Sequence, residues 1–172
     1  ICNNLCNSTS GCLAIGSVVV GGVGNNTTGG TWDLATCSFT VAPTICNAGS
    51  MSFVGGGFQN KATGNCSALA GGIGNFAGGD CSFVGGGASN QASDVRTAVV
   101  GGWLNCATLA GAFVGGGCNN KATYYNSAVV GGASNTASGQ YGFVGAGQLN
   151  TASAQRSSIG GGESNTSSGA CS

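Results

Sequence analysis

The chain has 172 residues with 36 glycines, 10 cysteines, one proline and no histidine; only 5% are charged, and four basic residues balance four acidic ones. That composition excludes histidine-based catalysis and histidine metal ligation, and it lacks the excess of Lys and Arg on which nucleic-acid binding depends. No apolar stretch approaches the ~20 residues of a membrane-spanning helix, and a hydrophobic content of 41% does not fit the polar, charge-rich signature of disorder.

Residues 1–16 align with nothing later in the chain and are expected to form an irregular cap or a junction with a preceding segment. The chain begins at Ile1 and its only methionine is Met51, which fits a processed product or part of a longer one. Residues 17–51 read as irregular turns. Within them 17–25 (SVVVGGVGN) copy 67–75 (SALAGGIGN), 31–36 look like an inserted loop, and 38–51 look like a shortened turn without a glycine pair.

Residues 52–172 hold eight regular turns of fifteen residues. Asn60, Asn75, Asn90, Asn105, Asn120, Asn135, Asn150 and Asn165 mark the period. Two positions after each stands Ala, from Ala62 to Ala152, and finally Ser167. Glycine pairs such as Gly56 and Gly57, or Gly101 and Gly102, keep the same register. A fifteen-residue period is too short for a helical hairpin repeat, and Gly and Asn disfavour helix. Collagen would require Gly at every third position and abundant Pro. The remaining solution is an all-β parallel β-solenoid with one turn per repeat. Ten turns at the ~4.8 Å interstrand spacing would give a rod about 48 Å long.

Alternate residues of a strand share a face. One face carries Phe53, Ala68, Phe83, Ala98, Phe113, Ala128, Phe143 and Ser158, and two residues on the sizes invert: Gly55, Ala70, Gly85, Val100, Gly115, Val130, Gly145, Gly160. Such volume compensation suits a close-packed interior, so this face is assigned to the inside. The other face then points outward with an unbroken apolar ladder of Val54, Leu69, Val84, Val99, Val114, Val129, Val144 and Ile159. An exposed stripe of that kind implies a partner. The converse assignment makes the ladder the core.

The Asn row is expected to hydrogen-bond from turn to turn and to tolerate the left-handed backbone of a tight corner. All seven charges of the regular repeats fall in slots equivalent to 58, 61 and 64–66, which marks those slots as solvent-facing. Trp103, Tyr124, Tyr125 and Tyr141 share them, and Trp32 sits in the inserted loop. Exposed loop aromatics are candidates for receptor contact. Cys66 and Cys81 occupy one slot in consecutive turns. Stacking would set their Cα atoms about 4.8 Å apart, inside the range a disulfide accepts, so a 66–81 bridge is expected. The cysteines match no zinc pattern, and no metal or cofactor is expected.

Other functions fit less well. An ice- or crystal-binding solenoid would use a flat hydroxyl ladder, and the candidate row (Thr63, Gly78, Ser93, Thr108, Thr123, Ser138, Ser153, Ser168) is mixed and interrupted. A calcium-loaded roll needs a recurrent Asp in each turn. A hydrolase needs clustered carboxylates, whereas Asp80 and Asp94 fall in different slots. No catalytic residue is identified.

The unit G-G-x-x-N-x-A-[ST]-G-x-x-S-x-V-x-G-G, clearest at 60–72 and 135–147, resembles the head repeat of YadA-like trimeric autotransporter adhesins and of trimeric phage and viral fibres. The resemblance spans 52–172 and, more loosely, 17–51. It implies a left-handed β-roll and a homotrimer about a common axis, with the ladder from Val54 to Ile159 as its interface. It further implies an extracellular place on a cell or virion surface, and attachment to a cell-surface or glycan receptor. The ten cysteines and the Phe alternation depart from the usual bacterial head and weigh toward a viral or otherwise unusual fibre.

Overall fold

The computed structural model describes residues 16–22, 24–25, 31–33, 38–41 and 49–172, the segments 31–33 and 38–41 by their backbone alone. The expected cap at 1–16 lies outside the described residues but for Gly16. The fold is an all-β parallel solenoid with no helix among the described residues. Each regular turn contributes to three ladders. The first is a nine-stranded parallel sheet running from Val18–Val19 through Phe53–Val54 and each later copy to Ser158–Ile159. The second is an eight-stranded parallel sheet from Lys61–Ala62 to Thr166–Ser167. The third is a file of single-residue bridges linking Phe58, Ile73, Ala88, Trp103, Cys118, Ala133, Gln148 and Glu163 in succession.

The register is fifteen residues per turn throughout, as in Ala98↔Phe113 and Cys106↔Lys121. The amino-terminal turn departs from it. Val18 pairs directly with Phe53, and the Asn60 N–H donates to Asn25 Oδ1 thirty-five positions away. Residues 17–51 are therefore one turn carrying a long insertion, where two turns are expected from the sequence. The insertion leaves after Asn25, and the chain has rejoined the roll at Gly49, whose N–H donates to the Ala62 carbonyl. Within it, Thr31–Asp33 and Ser38–Val41 pair antiparallel. That pairing explains why 38–51 lack the glycine pair of a turn. The longer sheet thus has nine rungs rather than ten, about 38 Å from first to last at the usual spacing.

The core reverses the face assignment expected from size compensation. Val54, Leu69, Val84, Val99, Val114, Val129 and Val144 are 0% exposed in the single chain, and Ile159 is 8% exposed at the carboxy-terminal end. They pack with the alanines of the second sheet, Ala62 to Ala152. The ladder is therefore the hydrophobic interior and is not available as a subunit interface. The physical reason is uniformity. Stacked turns of one backbone shape enclose one cross-section, so a core slot must hold nearly the same volume in every turn. Alternating Phe and Ala would overpack one turn and leave a void in the next. Alternation belongs outside, and Phe53, Phe83 and Phe143 are the exposed residues.

The interior also buries polar groups, the Asn of the period from Asn60 to Asn150 among them. Asn105 is typical: its Oδ1 accepts the Asn120 N–H, and its Nδ2 donates to the carbonyls of Gly101 and Gly117, all at 2.8–2.9 Å. The expected turn-to-turn bonding is observed. The left-handed corner belongs to the preceding residue instead, for example Gln59 (φ 52°) and Leu104 (φ 56°), and to a second corner at Cys66, Arg96 and Tyr141.

Candidate functional site

The outward face of the nine-stranded sheet is apolar from Val18 to Phe143 and ends on Ser158. Phe83 is 39% exposed, Val100 48% and Val130 49%, and Val18, Val20, Phe53 and Phe143 continue the stripe. Six of the eight regular turns carry one large group, while Ala68 with Ala70 and Ser158 with Gly160 carry none. Where Phe stands, Gly follows two positions later; where Ala98 and Ala128 stand, Val100 and Val130 follow. The geometry explains the pairing: the Phe83 ring lies back over Gly85, where a Cβ would sit 3.3 Å from Cε1. Phe76, on the outer face of the second sheet, lies over Gly78 in the same way.

The aromatic candidates do not form one cluster. Trp103 is 55% exposed on the bridge ladder. Tyr124, Tyr125 and Tyr141 are exposed at the corner between the second sheet and the next turn of the first. The rings of Tyr124 and Tyr125 pack edge to face with centroids 5.5 Å apart, and the Tyr141 N–H donates to the Tyr125 carbonyl at 3.1 Å. The side chain of Trp32 lies outside the described residues; its backbone belongs to the hairpin of the insertion.

Beside Tyr124 runs an open cleft of about 340 Å3 lined by Tyr124, Ser138, Gly139, Gln140, Ser153 and Gln155. Sequence reasoning isolated the tyrosine and missed its neighbours. The signal was present in the columns: slot 64 steps from Tyr124 to Gly139, and slot 65 stacks Gln140 on Gln155. The expected hydroxyl row does lie on an outer face, but paired Thr and Ser columns (Thr136 with Ser138, Thr151 with Ser153, Thr166 with Ser168) run unbroken through the last three turns only.

Cys66 and Cys81 are exposed free thiols, as is Cys171, and Cys106 and Cys118 are free and half-buried. The expected 66–81 bridge is absent for a geometric reason. Both residues adopt the same left-handed backbone, φ 55° and 57°. Their Cα–Cβ bonds therefore run parallel and keep the β-carbons near the ~4.8 Å repeat, whereas a disulfide needs them at about 3.8 Å. Burial pushes the Cys106 thiol pKa up from its ordinary value, and the ammonium of Lys121, its partner in the next turn, acts in the opposite sense. Among the described residues no three Cys, Asp or Glu side chains stand together so as to hold a metal ion, and no helix is long and apolar enough to cross a membrane. No protein-family model matches the chain, and no curated protein matches it.

Proposed function

We propose that this chain is a structural segment of an extracellular fibre, on a cell or a virion, which packs with two further copies in parallel and presents its corners for attachment. The supporting observation is the exposed apolar stripe formed by Phe53, Phe83, Phe143, Val100 and Val130. A stripe of this length in water is a liability for a lone rod and an asset for an assembled one. Its composition favours chains in parallel and in register. Because six of the eight regular rungs carry one large group, Phe with Gly or Val with Ala, copies facing one another at equal height about an axis meet at nearly constant volume along most of the stripe. An antiparallel pair would place no such demand on each rung. Covering the stripe would contribute several kcal/mol per chain at ~25 cal/mol per Å2.

The test is the mass in solution. Light scattering on the wild type should give three chain masses, and Phe83→Asp with Phe113→Asp should give one, with the circular dichroism of the roll retained. A wild type that stays at one chain mass across a wide concentration range overturns the assembly.

A further inference from the structure

We propose that the cleft beside Tyr124 is a binding site for a neutral saccharide. This rests on the attachment reading above and names the ligand class for one corner of the rod. The cleft arises from a size step in a single column. Tyr124 projects from one turn, and Gly139 in the same slot of the next leaves open space beside the ring. Any Cβ at Gly139 would run into the Ala154 carbonyl, so the step is fixed by the backbone. Tyr125 packs its ring at 89° to that of Tyr124 and props it in place.

The walls supply hydrogen bonds without charge. Gln155 Nε2 donates to Gln140 Oε1 at 3.2 Å. That bond leaves the Gln140 amide protons and the Gln155 carbonyl oxygen to face a ligand, a donor and an acceptor side by side. The hydroxyls of Ser138 and Ser153, each donor and acceptor, line the same cleft. None of the six lining residues is charged.

A pyranose matches this set. One face of the ring is a patch of C–H groups that lies flat on an aromatic surface, while its rim of hydroxyls needs mixed donors and acceptors. An aromatic platform ringed by a few fixed polar groups is the general form of a small-molecule site. The nearest charges along the chain, Lys121 and Arg156, are both cationic and lie outside the lining. The cleft itself offers no counter-ion to an acidic sugar. None of the six lining residues belongs to the Phe stripe.

The experiment uses the whole chain on a printed array of neutral and sialylated oligosaccharides, followed by calorimetry with millimolar methyl glycosides of galactose, mannose, glucose and N-acetylglucosamine. The expected result is binding of neutral sugars with Kd on the order of 1 mM for a monosaccharide in so open a site. Affinity should fall about tenfold or more in Tyr124→Ala, hold in Tyr124→Phe, and be untouched in Tyr141→Ala. Tyr124 is exposed, so these variants should fold, and circular dichroism checks that they do. No binding to any array member overturns the inference. So does binding confined to sialylated members and abolished by salt. A wild type that assembles into threes yet binds no sugar removes this inference and leaves the fibre standing; one that binds sugar as a single chain does the reverse.

Discussion

The backbone N–H of Asn120 donates to the side-chain Oδ1 of Asn105 at 2.9 Å, one turn below it. The same amide reaches back to the Gly101 carbonyl and up to the Gly117 carbonyl. Asn105→Ala would leave the Asn120 N–H and the Gly101 carbonyl without these partners, while the Gly117 carbonyl keeps the Trp103 N–H. At roughly 1–3 kcal/mol per orphaned group, the cost is about 2–6 kcal/mol. Asn165 is exposed, and within the 172-residue chain its Oδ1 accepts no N–H from a stacked turn. Asn165→Ala should cost no more than about 1 kcal/mol. Chemical denaturation of the two variants measures the difference.

The two faces of the first sheet should respond oppositely to truncation. Leu69 is wholly buried, and Leu69→Ala should cost about 2–5 kcal/mol through lost burial and the cavity left behind. Phe83→Ala, on the outer face, should cost the single chain less than about 1 kcal/mol even though it removes more atoms. Urea titration at low protein concentration, where assembly is weakest, gives both numbers. Equal losses would mean that Phe83 is covered within one chain.

The period, the parallel stacking and the slot columns were legible because fifteen-residue spacing repeats without a slip from Asn60 to Asn165. The inside and outside of the strand were not, because alternation alone says that Phe83 and Val84 oppose each other without saying which faces in. Constancy decides it: a column that hardly varies, Val84 with Val99 and Val114, marks the enclosed cross-section. The first turn was misread because the antiparallel hairpin of the insertion interrupts the period. The cleft was missed because its residues are ordinary in sequence and become a site only when Tyr124, Gly139 and Ala154 stack.

Glycine in the second position of each pair is required by more than backbone freedom. Gly102 has φ 88°, and a Cβ there would strike the Gly117 carbonyl and come within 2.6 Å of Asn105 Nδ2. Gly102→Ala should therefore displace the Asn ladder as well as strain the corner, with a loss above about 3 kcal/mol. The adjacent corner shows the converse. Leu104 holds φ 56° and is 43% exposed. Leu104→Gly relieves a left-handed strain of about 1–2 kcal/mol and returns up to about 1 kcal/mol of that to unfolded-chain entropy. Thermal melts should show Gly102→Ala well below the wild type and Leu104→Gly level with it or above.

Cys106 should make the chain's stability fall at alkaline pH. Burial raises its thiol pKa above the ordinary 9.0, with Lys121 opposing. In the unfolded chain the thiol loses its proton first, so the folded state binds more protons as pH climbs through the ordinary value. Stability therefore declines with pH from there until the folded-state pKa is passed. Cys106→Ser should flatten that decline, and Lys121→Ala should steepen it by removing the charge that favours the thiolate. Reactivity follows the same order, because the thiolate is the nucleophile. At pH 8, alkylation followed by peptide mass mapping should label exposed Cys66 and Cys81 first and Cys106 later, and later still in Lys121→Ala. Labelling of Cys106 ahead of Cys66 would mean that the turn at 106 opens in solution. Resistance of Cys66 and Cys81 together, reversed by reductant, would mean that the parallel Cα–Cβ geometry at that corner gives way to a bridge.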